Sequence, residues 1–218
     1  MGLARTPRVL ARGSWAAEQV RVRWREEQFA APARATAVAD AALDALRERG
    51  SPTHDGLSAR MASFEAAPGR LELELEPVRW ALRLATESAE GISALCVVRD
   101  AEGRWLAGRR AAWVASWPGR WALGAGGAVD LAEDPMQTLA RELDEEWSVA
   151  ARQLTAEALV RLPSGLVLLV GMARLDAGAE VTIDAEHDTY AWWPADISRW
   201  PAEADEPLRR VADMLLRR

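Results

Sequence analysis

Lysine is missing from the 218 residues, and every basic side chain except two histidines is an arginine. With alanine and arginine both heavily used, this looks like a GC-rich coding bias, so arginine richness alone carries little functional information. Cysteine occurs once, at Cys96. That excludes a disulfide within the chain, and its setting in the apolar run "ISALCVV" reads as a small buried hydrophobe. His54 and His187 are too few and too far apart in sequence for a histidine-based metal site, so zinc chemistry is not expected. Neither a signal-peptide pattern nor a run of about eighteen uninterrupted apolar residues is present, which makes the cytoplasm the default location. An excess of positive charge is lacking too. With 33 acidic residues against 27 basic ones and a net charge of −6, neither a nucleic-acid backbone nor an anionic membrane is expected as the main partner.

What is present suffices for a globular protein. Half the residues are apolar, and the length suits one large domain or two small ones. The opening "MGLARTPRVLAR" has no clear period and reads as a loose lead-in. "AAPARATAVADAALDALRERG" reads as an alanine-rich helix ending at Gly50, with Val38, Ala41, Ala42 and Ala45 on one face, and "SPTHDG" breaks it. "RLELELEP", Arg70 to Pro77, alternates leucine with glutamate and reads as a half-buried strand. A composition shift at "ATESAEG" sets a boundary near Glu90, dividing an accessory region, 1–90, from a second part, 91–218, of the α/β (α+β) class. In that part, "ISALCVV" and "RWLAGRR" read as a hairpin, "RWALGAGG" as a further strand, and "EALVRL" and "LVLLVGMARL" as another hairpin. "TYAWW" is a last strand. Pro194 to Trp200 forms a short helical turn, and "EPLRRVADMLLRR" a closing amphipathic helix.

The stretch "GGAVDLAEDPMQTLARELDEEWSV", Gly126 to Val149, carries the chemistry. Asp134 suits an N-cap, Pro135 the first helical position and Gln137 a capping box. Met136, Leu139, Ala140, Leu143 and Trp147 follow helical spacing and face inward. At about 100° per residue, Glu142 and Glu146 lie about 40° apart, with Glu145 about 60° to the other side of Glu142. Like charges at i, i+4 destabilise a helix, more so at its negative C-terminal end. Arg141 reaches Glu145 but cannot neutralise Glu142, Asp144, Glu145 and Glu146 together. A hard divalent cation can, whereas a solvated acidic face is the ordinary meaning of such a run.

Spacing decides between them. Gly127, five residues, Glu133, seven residues, Arg141, Glu142, Leu143, one residue, Glu145, Glu146, one residue, Ser148 and Val149 resembles the Nudix box of the Nudix hydrolase superfamily. Only Ser148 departs, standing where the pattern has glycine. The resemblance implies an α/β/α sandwich with a mixed sheet, here preceded by a small N-terminal α+β extension. It also implies a Mg²⁺ or Mn²⁺ site made by Glu142, Glu145 and Glu146 with the carbonyl of Gly126. Glu142, Glu145 and Arg141 would form the catalytic set, Arg141 orienting a carboxylate, while Glu133 braces the loop to the helix and Gly127 supports it. The implied reaction is hydrolysis of the diphosphate linkage in a nucleoside diphosphate derivative, with metal ions shielding the diphosphate and a carboxylate acting as base.

Outside the box, Arg109 and Arg110 end a strand that would approach the phosphates, where bidentate guanidinium suits. Glu186 is a candidate extra carboxylate, as is Asp188, although an ordinary polar loop explains both. Trp113, Trp117 and Trp121 have rings that stack on a base or sugar, against a packing role for most of the eleven tryptophans. "WALGAGG" has Ala125 where the common form before the box has proline, and one extra residue after Trp121. It is similar in this to the branch holding isopentenyl-diphosphate isomerases, yet Ala125 to Gly127 supply no cysteine for isomerase chemistry. "HDGLSARMASFEA" with "RLELELEP" resembles the β-rich extension of some nucleotide-sugar Nudix hydrolases, a role that would shape the pocket or a homodimer interface. A Nudix-fold nucleotide-binding or regulatory protein without catalysis is the alternative, and the intact Glu142, Glu145 and Glu146 speak against it.

Overall fold

A computed structural model describes residues 6–51, 55–84, 91–114, 116–176 and 179–217; His54 and the boundary at Glu90 lie outside them. The chain forms β1 (Arg8–Trp15), β2 (Val20–Trp24), α1 (Ala33–Glu48), β3 (Leu57–Ala67), β4 (Arg70–Arg79), β5 (Ile92–Arg99) and β6 (Trp105–Arg110). There follow β7 (Trp121–Leu123), β8 (Ala125–Ala128), α2 (Pro135–Trp147), β9 (Gln153–Arg161), β10 (Val167–Arg174), β11 (His187–Trp193) and α3 (Glu206–Leu216). The large sheet is mixed, in the order β1-β9-β10-β5-β6-β11, with β7 on β6 and β8 on β5. Among the described strands, only β10 and β5 run parallel in it, and β2-β4-β3 form a smaller sheet.

Alternation along the central strands sends side chains to two cores. Ala94, Cys96 and Val98 of β5 join Leu139, Leu143 and Trp147 of α2 on one face. Val97 of the same strand joins Leu208, Ala212 and Leu215 of α3 on the other, beside Trp105, Trp193 and Trp200. The sheet is therefore sandwiched between α2 and α3. Leu71, Leu73 and Leu75 of β4 belong to the α2-side core, which places the small sheet there and agrees with the alternation of "RLELELEP". Among the described residues, no helix is long and apolar enough to cross a membrane.

Three expectations change. The opening segment is not a loose lead-in: β1 pairs antiparallel with β9, Val9 opposite Val160, and Trp15 is buried. Two register shifts along the pairing hide the period; a bulged strand lacks strict alternation. In α1, Ala35, Ala39, Leu43 and Leu46 face inward while Val38 is 47% exposed. With alanine on every side, the two leucines decide the face. Ala140 of α2 is likewise exposed rather than buried.

Two glycines set the approach to α2. Gly124 sits at φ +60°, and a Cβ there would overlap the Cys96 carbonyl; this accommodates the extra residue after Trp121, and Trp147 Nε1 donates to the Gly124 carbonyl at 3.1 Å. Residues 125–128 then pair with 93–96, Leu95 opposite Gly126 and Ala94 opposite Gly127.

Candidate active site

Helix α2 begins as its residues require. Asp134 accepts from the Met136 amide at 2.7 Å and Gln137 Oε1 accepts from the Asp134 amide at 3.0 Å, closing a capping box. At the other end Ser148 takes the left-handed conformation, φ 52° and ψ 39°, and its amide donates to the Asp144 carbonyl at 2.8 Å. The exit geometry expected of glycine is kept by a residue with a Cβ.

Glu133 and Arg141 form the brace between loop and helix. Arg141 Nε donates to Glu133 Oε1 at 2.8 Å and Nη2 to Glu133 Oε2 at 3.1 Å, a bidentate pair. Thr138 Oγ1 and the Asp130 amide donate to the same carboxylate at 2.7 and 3.1 Å. Burial opposes ionisation of Glu133, yet these bonds outweigh it and hold its pKa below the usual range. Arg141 Nη1 also reaches Glu142 at 2.7 Å and Glu145 at 2.9 Å.

The three glutamates of the box occupy different settings. Glu142 and Glu146 are buried, 9% and 4% exposed, whereas Glu145 lies outward on Arg141 with its side chain 56% exposed. Burial pushes the pKa of Glu142 up to about 7, with Arg141 opposing, and that of Glu146 up to about 9, with Arg110 opposing and Glu142 adding repulsion. Gly126 donates its amide to Glu146 Oε1 at 3.3 Å. A Cβ on Gly127 would overlap the Glu142 carboxylate, so this position has to be glycine while Glu142 stays in place. Among the described residues, no three His, Cys, Asp or Glu side chains already surround a common point.

Arg109 and Arg110 separate as strand neighbours do. Arg110 lies 3.5 Å from Glu146 Oε1 and 2.9 Å from Glu186 Oε2; Arg109 pairs with Asp188 at 3.5 Å. Glu186 is thereby linked to the carboxylate pair through Arg110. Trp121 packs on Trp193 at 5.5 Å, while Trp113 and Trp117, 39% and 41% exposed, stand on the loop after Arg110. Cys96 is closer to the glycine-rich loop than its sequence position suggests, opposite Ala125 in register. Its thiol points into the core and burial pushes its pKa up to about 12, so it supplies no thiolate.

Two residues escape the sequence pattern. His187, fully buried, places Nε2 3.8 Å from Glu146 Oε2 and Nδ1 3.2 Å from Asp184 Oδ1. It stands in "DAEHDTYAWW" between the two carboxylates that drew attention, and strand alternation points it to the opposite side. Arg83, from the 3₁₀ turn Trp80–Leu84, donates to Ser93 Oγ at 3.1 Å and acts electrostatically on Glu142. No local pattern marks it: Ser93 lies ten residues on and Glu142 on a separate helix.

Residues 89–214 match the model of the NUDIX domain. Among solved structures, a MutT protein from Methanosarcina mazei Go1 is 22% identical, with 59% of this chain and 96% of that chain covered at a TM-score of 0.46. The NUDIX domain of Shewanella oneidensis NrtR, complexed with ADP ribose, is 24% identical over 57% and 87% of the two chains at 0.46. An Ap4A hydrolase of C. elegans, in a binary complex, is 19% identical over 57% and 93% at 0.44. Comparison with curated proteins gave no significant match.

Proposed function

The chain belongs to the NUDIX domain family, and from that premise we propose that it hydrolyses the diphosphate linkage of a nucleoside diphosphate derivative with Mg²⁺ or Mn²⁺. It is an enzyme of the diphosphate hydrolase type. The observation that carries the metal reading is the pair Glu142 and Glu146: two buried carboxyl groups one turn apart, Glu142 seated against Gly127 where a Cβ would overlap it. Oxygen donors held out of water suit a hard divalent cation, which restores the charge balance that burial removes. Glu142, Glu145, Glu146 and the Gly126 carbonyl would hold the ion. When bound, the ion sets positive charge against the diphosphate and makes water a better nucleophile at neutral pH.

The chain's own residues do the rest. Arg141, locked by Glu133, keeps Glu142 and Glu145 oriented at the helix end. Arg110, between Glu146 and Glu186, offers its guanidinium to a phosphate oxygen, with Arg109 at the rim. Glu142 or Glu145 takes the proton of the attacking water. The accessory region shapes the pocket wall: Trp24 Nε1 donates to the Glu133 carbonyl at 3.3 Å and the Ala59 amide to the Val129 carbonyl at 2.8 Å.

The test is a panel of nucleoside diphosphate derivatives incubated with Mg²⁺ or Mn²⁺ in ¹⁸O-labelled water. A nucleoside monophosphate and a second phosphorylated product are expected, one of them carrying a single labelled oxygen. Tight nucleotide binding with no label incorporated across the panel establishes a binding protein instead. Conversion of isopentenyl diphosphate to its allylic isomer establishes the isomerase reading.

A further inference from the structure

The side chain of His187 is 0% exposed, and Nε2 has no hydrogen-bond partner. A buried ring nitrogen without a partner forfeits its hydration and calls for a reason. The other nitrogen explains which form is present. Asp184 Oδ1, 3.2 Å from Nδ1, is an acceptor only, so Nδ1 carries the proton and Nε2 keeps its lone pair. The free lone pair faces Glu146, whose Oε2 is 3.8 Å away.

A lone pair facing a carboxyl group takes a positive partner between them: the carboxyl's own proton in the metal-free chain, or an ion that displaces it. Donor atoms on one ion, each bonded at about 2.1 Å, lie about 3.0 to 3.4 Å apart for right-angled to tetrahedral arrangements. Nε2 and Oε2 need to close by well under 1 Å to meet that spacing. The ring is fixed where this can happen. The Asp184 amide donates to the Glu146 carbonyl at 3.1 Å, tying the segment before β11 to the end of α2. The ring of Trp147 packs tilted against it at 4.7 Å, and a Cβ on Gly108 would run into the imidazole. A carboxylate on the far nitrogen is the usual outer support of a metal-bound histidine.

We propose that His187 Nε2 is a ligand of the metal ion held by Glu142 and Glu146, and that it makes the site select a divalent transition ion over Mg²⁺. Imidazole suits transition ions, whereas Mg²⁺ is best served by oxygen. The inference rests on the metal-dependent reading above but adds a nitrogen to a donor set that the box alone makes entirely of oxygen.

The experiment uses the whole chain with Mn²⁺ alone as probe. Spin-echo electron paramagnetic resonance of bound Mn²⁺ should show the ¹⁴N modulation of a coordinated imidazole. His187→Gln should abolish that modulation and weaken Mn²⁺ binding about 10- to 100-fold, with Mg²⁺ binding nearly unchanged. Mn²⁺ bound stoichiometrically without nitrogen modulation overturns the His187 assignment and leaves the carboxylate site intact. No stoichiometric Mn²⁺ binding overturns both. The wild-type spectrum decides even if His187→Gln does not fold.

Discussion

Two rows of three glutamates lie on the same molecule and behave in opposite ways. On β4, Glu72, Glu74 and Glu76 alternate with the core leucines, Glu76 itself being 7% exposed, and neighbouring strands meet them with arginine. The parallel register sets Arg21 beside Glu72 and Arg23 beside Glu74. Arg23 and Arg25 each reach Glu74 at 2.6 Å, Ser63 adds a bond at 3.0 Å, and Arg60 pairs with Glu76. The hydrogen bonds from Arg25, Ser63 and Arg23 lower the pKa of Glu74 to about 2. On α2, burial dominates instead and lifts Glu142 and Glu146 to about 7 and about 9. Acidic density is therefore uninformative by itself. What marks a site is carboxylate buried with less positive charge than it needs, because the missing charge has to come from a proton or from a ligand that displaces it.

The sharpest way to break this contrast is to remove one charge from each row. Glu146→Gln should lower turnover by at least about a hundredfold, since losing an inner ligand costs no less than losing an outer support. Above about pH 9, where Glu146 is ionised, the same change should raise the metal-free melting temperature, because an unfavourable buried charge is gone. Glu74→Gln should leave turnover unchanged and lower the melting temperature slightly. Equal turnover for Glu146→Gln and wild type at saturating Mg²⁺ would remove the metal role of the α2 row.

The two rows also separate on the pH axis. Glu74 titrates lower in the folded chain than in the unfolded one, so its contribution is complete above about pH 4.5 and is lost as pH falls toward about 2. Glu142 and Glu146 titrate higher when folded, so the folded chain holds their protons and metal-free stability declines as pH rises from about 4.5 through about 7 and about 9. A cation that binds the ionised pair displaces those protons. The melting-temperature increment given by millimolar Mn²⁺ should therefore grow between pH 6 and pH 9. An increment that is flat or falling over that range counts against binding at this pair.

Local patterns were legible in the chain. The capping box at Asp134, the alternation of Leu71, Leu73 and Leu75, and the box spacing from Gly127 to Glu146 each involve residues within a turn, a strand or one loop and helix. What escaped depends on partners far away in sequence. Pairing of Val9 with Val160 makes β1 a strand, and no feature of "MGLARTPRVLAR" announces it. The approach of His187 to Glu146 needs β11 laid beside β6 and the segment before it bonded to the end of α2. Arg83 meets Ser93 only because the chain re-enters the large sheet at Gly91, bridged to Arg60.

The smallest expected effect lies just beyond the acidic row, at Ser148. Its φ of 52° and ψ of 39° are left-handed, a region where a Cβ crowds the backbone and glycine does not. Serine makes no described side-chain bond there that would offset this, and the position is exposed. Ser148→Gly relieves the strain, and the greater freedom of glycine in the unfolded chain returns part of that gain. The net stabilisation should be about 0.5 to 1 kcal/mol, a rise of roughly 1 to 4 °C in melting temperature for a chain of this size. Turnover should not change, because the backbone path from Glu146 to Val149 is already the one that glycine prefers. A fall in stability would mean that the serine hydroxyl does more at the helix exit than its geometry shows, and a change in turnover would mean that this exit, and not only the glutamates before it, sets the position of the carboxylate pair.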